Sequence, residues 1–243
     1  MTLVLPTQPT AASNKWVEQK FLMLGDGGIG KSEFWAQGKR TLFVETEPGL
    51  NHLDVMRLPA RSWDEFLEIG GALLKAQPFP YDTLVIDTVD RWVMLIHEEV
   101  ISRAKQKFRK AADEINSIGD IPNGTGWFWA SQLVEQYLQK LENLPCAVAL
   151  VGHVNDKLIE EPTRKYNKRT VSIGGQMGLK LLHWPDHTIL VDSQMIGTEL
   201  QRSLSTLPSQ SREGKSRGAV VTHGMKWGKD AAANYAAFRK LFD

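Results

Sequence analysis

The chain reads as an α/β protein: a single domain built on a doubly wound, mainly parallel sheet. Three observations predict it. A glycine-rich stretch, Gly25-Asp26-Gly27-Gly28-Ile29-Gly30-Lys31-Ser32, stands between an apolar run of strand length and a segment able to open a helix. After it, short apolar runs alternate with helical patterns, the rhythm that parallel strands joined by crossover helices produce. The 243 residues are 42% hydrophobic and 23% charged, enough for one full core and short for two.

The first strand is Phe21-Leu22-Met23-Leu24, and the stretch after it fits the phosphate-loop pattern G-x-x-x-x-G-K-[ST] at every specified position. Glycines there let successive backbone N–H groups turn inward, and the helix that follows adds the partial positive charge of its first turn. Such a cradle suits a nucleotide polyphosphate. Lys31 would reach the β- and γ-phosphates, and the Ser32 hydroxyl would ligate Mg²⁺. That helix must be short, because Thr41-Leu42-Phe43-Val44 already reads as the second strand. It ends in Glu45-Thr46-Glu47 before the turn signal Pro48-Gly49, and carboxylates at the carboxyl end of a strand sit where α/β sheets bind ligands.

Ser62-Trp63-Asp64-Glu65 is a capping box that opens a helix to about Ala76, stopped by Pro78 and Pro80. The next strand, ending in Asp87, has the form of a second Mg²⁺-coordinating strand. Trp92 to Phe108 is a helix with Val93, Ile96, Val100 and Ile101 at helical spacing. Its end carries Arg103, Lys105, Lys107, Arg109 and Lys110, equally readable as a solvated face or a nucleic-acid contact. Residues 116–126 read as a loop, and Trp127 to Leu144 as a helix with a buried stripe of Phe128, Leu133, Val134, Tyr137, Leu138 and Leu141. The strand Cys146 to Val151 ends in Gly152-His153, on the same sheet edge as Glu47 and Asp87. Position alone leaves open whether His153 faces the γ-phosphate or serves the structure.

Val154 to Ile173 is predicted as a long, mobile, charged loop. Lys157, Arg164, Lys165, Lys168 and Arg169 surround Tyr166, an arrangement that suits a single strand of nucleic acid, with Asp156, Glu160 and Glu161 interspersed. A short helix (Gln176 to Trp184) and a strand (His187 to Val191) follow, then an alternating stretch, Thr198 to Leu207, with the pattern of an edge strand. Beyond a basic loop (208–217), Gly218 to Thr222 reads as a strand and Lys229 to Phe242 as a helix docked by Tyr235, Phe238, Leu241 and Phe242.

Bulk properties exclude several classes. A net charge of +1 means that any nucleic-acid surface is a local patch. The single cysteine, Cys146, lies in an apolar run, excludes an intramolecular disulfide framework and is expected to be a buried, inert thiol suited to a reducing cytosol. No apolar stretch approaches the ~20 residues of a membrane span, and the histidines show no zinc-ligand spacing. Residues 1–14 lack the form of a signal peptide and are expected to be a flexible arm to a domain of residues 15–243, in the cytoplasm.

The finer pattern resembles RecA-like ATPases, and within them the small phage ATP-binding, single-strand-annealing recombinases. Leu42 to Glu47 looks like their second strand, ending in an acidic–x–Glu; the resemblance implies that Glu47 polarises the attacking water and Glu45 is an accessory acid. Asp87 and Ser32 would hold Mg²⁺ and Lys31 the phosphates of ATP. His153, where RecA proteins have Gln, would be the γ-phosphate sensor, as in related subgroups. The basic segment with Lys157, Arg164, Lys165, Tyr166, Lys168 and Arg169 would be the DNA-binding loop, and Gly174-Gly175-Gln176-Met177-Gly178-Leu179-Lys180 the helix after it. Lys215 and Arg217 would complete a neighbouring copy's ATP site. The implied partners are single-stranded DNA, further copies of the chain in a homo-oligomer, and a single-strand-binding protein; no membrane is implied. The resulting expectation is a DNA-stimulated ATP hydrolase of phage-type recombination or annealing. A nucleotide-dependent switch acting on a protein partner, or a small-molecule kinase, are the alternatives.

Overall fold

Strand β1 (Lys20–Gly25) is buried along its whole length and lies in the middle of the sheet. In the computed structural model, which describes residues 5, 7–9, 11–217, 225–228 and 230–242, it leads through the phosphate loop into α1 (Lys31–Trp35), β2 (Thr41–Glu45) and β3 (Met56–Pro59). Then come α2 (Trp63–Lys75), β4 (Thr83–Asp87), α3 (Val89–Lys107), α4 (Thr125–Glu142) and β5 (Ala147–Gly152). The remainder is β6 (Val154–Glu161), β7 (Arg164–Val171), α5 (Gly175–His183), β8 (His187–Ile196), β9 (Glu199–Ser205), β10 (Lys215–Ser216), β11 (Met225–Trp227) and α6 (Ala231–Arg239).

Among the described residues the main sheet has the order β11-β9-β8-β1-β5-β4-β2-β3, with β10 paired to β8. From β8 to β3 every pairing along this order is parallel; β9, β10 and β11 add antiparallel strands at one side. This is the mainly parallel, doubly wound α/β fold that the alternation of runs predicts. The central strands are continuous apolar runs because both faces are covered.

The two faces are covered differently. One carries a larger, mainly aliphatic core, in which α2, α3 and α4 pack over Leu22, Val44, Leu84, Ile86, Val148 and Leu150 and bring in Trp63, Phe66 and Trp92. The other, beneath the phosphate loop, is aromatic: Trp16, Phe21, Phe34, Trp35, Phe238 and Phe242 pack as a tilted and edge-on cluster. The 3₁₀ turn at Trp16–Glu18 and helix α6 thus close over the same ground. Trp16 Nε1 donates to Thr83 Oγ1 at 2.9 Å, so the indole is both packed and satisfied. The Cys146 thiol is buried, and burial pushes its pKa up to about 11, in keeping with the expected inert thiol.

Local signals hold with small shifts. Ser62 Oγ accepts from Glu65 N–H at 3.2 Å, but the Glu65 carboxylate takes the Arg61 N–H rather than that of Ser62. Helix α3 begins at Val89, capped by Thr88, rather than at Trp92.

Four expectations need correcting. Residues 154–171 are not a loop: β6 and β7 form an antiparallel two-stranded sheet around a tight Pro162-Thr163 turn, with Glu160 opposite Lys165 and Glu161 opposite Arg164. Opposite charges facing across the strands support the pairing near the turn, while the Val154–Val171 pair anchors its base in the core. Residues 198–207 are not the sheet edge, since β9 is flanked by β8 and by β11. Phe128 leaves the buried stripe of α4 and is 60% exposed. In residues 116–126 the backbone forms short 3₁₀ turns at Ile118–Asp120 and Pro122–Gly124 before α4 starts. The strand expected at Gly218 to Thr222, and Lys229 at the head of the last helix, lie outside the described residues.

Candidate active site

The parallel register brings the carboxyl ends of four strands to one edge. Glu45 pairs with Asp87, Asp87 with Val151, and Leu24 with Gly152. The phosphate loop leaves β1 at this edge. A Cβ on Gly25 would meet the Val191 carbonyl oxygen at 2.9 Å, so only glycine lets the loop start this close to β8. Gly28 (φ 71°) and Gly30 (φ 101°) adopt the left-handed conformation that turns the loop back into α1. Ile29 points down into the aromatic core, which leaves its backbone for the cradle.

The pocket over this loop is lined by Gly28, Gly30, Lys31, Ser32, Glu47, His52, Asp87, Thr88 and His153. Lys31 is buried, and its ammonium donates to the carbonyls of Gly25 and Asp26, both at 2.8 Å. Burial pulls its pKa down, against the surrounding Asp87, Asp90, Asp26 and Glu47 charges. Ser32 Oγ donates to Asp87 Oδ2 at 2.5 Å. Burial, joined by the nearby Glu47 charge, pushes the Asp87 carboxyl upward, while Ser32, Lys31 and His153 oppose it. A hydroxyl and a carboxylate converging beside a buried ammonium form a hard-oxygen pair of the kind that Mg²⁺ takes, so the residues present fit this ion.

Glu47 reaches the pocket from the end of β2 and accepts from Thr88 Oγ1 at 3.0 Å, which fixes its carboxylate at the pocket wall. Glu45, two residues earlier, does not join it. Glu45 Oε2 takes Arg61 Nη2 at 2.8 Å, and Oε1 takes the N–H groups of Gly49 and Leu50 at 3.3 Å, with Arg57 at 3.6 Å. Burial alone would raise this carboxyl, but the two backbone donors and Arg61 outweigh it and hold it below the usual carboxylate range. The accessory-acid expectation for Glu45 is therefore corrected. Glu45 shapes the turn that presents Glu47.

His153 lines the pocket and is anchored by a residue that the sequence reading passed over. Asp90, in the first turn of α3, accepts the His153 backbone N–H at 2.9 Å and meets its Nδ1 at 3.3 Å. Ser172 Oγ donates to the other oxygen of the same carboxylate. The hydrogen bond that its ring makes to the Asp90 carboxylate raises the His153 pKa above its ordinary value. Burial would raise the Asp90 carboxyl, but the His153 and Ser172 hydrogen bonds prevail and hold it below. The β6–β7 hairpin thus starts and ends on one carboxylate, that of Asp90, which stands behind His153. A second crevice, between α2 and α4, is lined by Phe66, Leu73, Leu74, Tyr137 and Leu141, and its apolar walls suit no phosphate chemistry.

The family described as AAA domain matches residues 17–218, most of the chain and all of this site. The chain belongs to that family. Its fold is similar to that of a KaiC-like protein from the hyperthermophilic archaeon Pyrococcus horikoshii, with a TM-score of 0.53 at 14% identity over 89% of this chain and 88% of that one. No curated protein matches the chain. The chain is a nucleotide-binding P-loop ATPase of the AAA type, with a fold similar to that of the KaiC-like protein.

In this AAA domain the remaining expected site residues disperse. Lys215 donates to the His183 carbonyl at 2.5 Å, and Arg217 pairs with Asp186 at 3.1 Å. Both sit by the amino end of β8, where Lys215 pairs with Thr188 and Ser216 with His187, at the opposite sheet edge from the chain's own pocket. On the hairpin, Arg164 is paired to Glu161, Lys165 to Glu160 and Lys168 to Glu213, and the Tyr166 hydroxyl donates to Glu161. Lys157 is exposed on β6. Arg169 turns away from the hairpin surface toward the phosphate loop. Thr88 and His52 line the pocket, and Asp90 and Ser172 stand behind His153; sequence reasoning missed all four. An Asp in the first turn of the helix after β4 was the available signal for Asp90. Among the described residues, no helix is long and apolar enough to cross a membrane.

Proposed function

We propose that this protein hydrolyses ATP at the phosphate-loop pocket and uses the bound nucleotide to control its grip on single-stranded DNA in phage-type recombination or annealing. Lys31 and the loop amides take up the triphosphate charge, and Glu47, held by Thr88, orients and accepts a proton from the attacking water. Ser32 and Asp87 would hold Mg²⁺, which when bound offsets charge on the β- and γ-phosphoryl oxygens. His153 stands beside the reacting phosphate and is tied through Asp90 to both ends of the hairpin. Lys157, Arg164, Lys165, Tyr166 and Lys168 supply the DNA face of that hairpin, and Lys215 and Arg217 serve the pocket of a neighbouring copy. A single-strand-binding protein would be a further partner.

The observation that carries this reading is the shared Asp90 carboxylate, because an effector on the hairpin has a two-residue path to the γ-phosphate position. The test is ATP turnover with and without single-stranded DNA, in the native chain and in Arg164/Lys165/Lys168→Ala. Stimulation by DNA in the native chain that is weak in the triple variant supports the reading, with the salt dependence of DNA binding flattened as cations are removed. No DNA binding by the native chain at low salt sinks it.

A second reading draws support from the same surface. The hairpin cations are mostly matched by carboxylates, while Met94, Trp127 and Phe128 are exposed around an apolar groove beside Gly174-Gly175. This favours a switch that acts on a protein partner. Turnover that responds to a protein and not to DNA would decide for it.

A further inference from the structure

The phosphate loop carries an acid at its second position, Asp26, where a polyphosphate is to be bound. A bare carboxylate there opposes binding of a polyanion by direct repulsion. Its partner is not a neighbour in sequence. Arg169, 143 residues on and near the end of β7, places Nη2 at 2.7 Å from both carboxylate oxygens of Asp26. Its Nη1 donates to Asp192 on β8 at 2.7 Å, and its Nε lies 3.8 Å from Asp156 on β6. The backbone is held as well: Arg169 N–H donates to the Ser211 carbonyl at 2.8 Å and its own carbonyl accepts from Glu213 at 3.0 Å. The Asp26 carbonyl, meanwhile, accepts from Lys31. Asp26 is therefore gripped on its backbone by the phosphate-binding lysine and on its side chain by the hairpin.

We propose that Arg169 is a positioning residue of the nucleotide site, the counter-ion that lets Asp26 stand in the phosphate loop, and not part of a nucleic-acid surface. It acts on the nucleotide through Asp26 and touches no reacting atom. Because Arg169 belongs to β7, any ligand that shifts the hairpin uncovers a negative charge on the loop and loosens the nucleotide, and bound nucleotide in turn resists that shift. The proposal rests on nucleotide binding at this loop and is independent of what the hairpin binds.

The test is a double-variant cycle read by displacement of a fluorescent ADP analogue, with folding checked by thermal melting. Arg169→Gln is expected to weaken nucleotide binding by about tenfold, within the usual span of coupling between sites. Asp26→Asn alone leaves the Arg169 charge unopposed beside the phosphates and is expected to bind nucleotide more tightly than the native chain, and Asp26→Asn/Arg169→Gln recovers the affinity lost in Arg169→Gln. Recovery on removing a second charge is not what a merely structural role produces. If Arg169→Gln does not fold, Arg169→Lys is read in its place, with a loss of about threefold that Asp26→Asn again restores. Unchanged affinity in the arginine variant, or a double variant as weak as the single one, overturns the proposal. A native chain that binds no nucleotide at all would instead refute the site itself.

Discussion

The phosphate-loop pocket and the β6–β7 hairpin both gather charged side chains and use them in opposite ways. In the pocket, Lys31, Ser32, Glu47, Asp87 and His153 come from four different elements and face one shared space. On the hairpin, Arg164, Lys165 and Lys168 are each matched by a carboxylate, two of them within the same turn of chain. Groups brought together over long sequence distances and partly desolvated have perturbed acidity and can do chemistry. Groups that pair locally at the surface stay solvated, keep their ordinary charge and each add little to stability. Arg169 is the exception that joins the two regions.

This contrast can be broken most easily at the two lysines. Lys31→Ala should lower nucleotide affinity by about 2–5 kcal/mol, the usual cost of truncating one partner of a buried charge contact, and abolish turnover. Lys165→Ala, removing the same charge from the hairpin, should leave nucleotide affinity unchanged and shift stability by less than about 1 kcal/mol. Binding titrations and urea melts on both variants check this, and equal effects would erase the distinction.

The histidines sharpen it. His187, at the amino end of β8 and away from the pocket, is buried against Phe21, with its ring nitrogens at 3.0 Å from Ser216 Oγ and Gln19 Oε1. Burial lowers its pKa from 6.5 to about 4. The unfolded chain therefore takes up a proton first as pH falls, and stability present above about pH 6.5 drains away toward pH 4, by roughly 3 kcal/mol in all. His187→Gln should remove that part of the acid sensitivity, read from urea midpoints between pH 7 and 4. His153 behaves in the opposite sense. Its pKa is raised by Asp90, with Glu47 adding to the rise and Lys31 opposing it. Its pairing is complete below pH 6.5 and is lost as pH rises through its folded value. Hydrogen exchange at the base of the hairpin should quicken over that upper range, and Asp90→Asn should remove the dependence. The smallest effect concerns the scaffold alone: Ser62→Ala should cost about 1 kcal/mol by removing the α2 cap, without altering nucleotide binding.

What could be read from the chain follows the same division. That the phosphate loop, Glu47 and Asp87 meet at one sheet edge was legible because fixed spacing and a position at a strand end set their place before any tertiary contact forms. Glu45 was misread because an acid–x–acid ending does not say which carboxylate an arginine will claim, and Arg61 lies 16 residues away across a turn. The hairpin was hidden because strand signals rest on apolar alternation, whereas β6 and β7 are held by mirrored charges about Pro162-Thr163. That mirror symmetry was present in the sequence as Glu160-Glu161 facing Arg164-Lys165. Phe128 falls on the right helical period, yet the groove beside it is open. Asp26 and Arg169 could not be paired from sequence, since their contact exists only once β7 has folded back over the loop.

The central claim is that this pocket turns over ATP with Glu47 as the residue that activates water. The most direct measurement is single-turnover phosphate release alongside nucleotide affinity, in the native chain and in Glu47→Gln. The account predicts affinity within about twofold of native and hydrolysis slowed by about 10²–10⁴-fold, the share usual for a general base. Hydrolysis at the native rate in Glu47→Gln would contradict it.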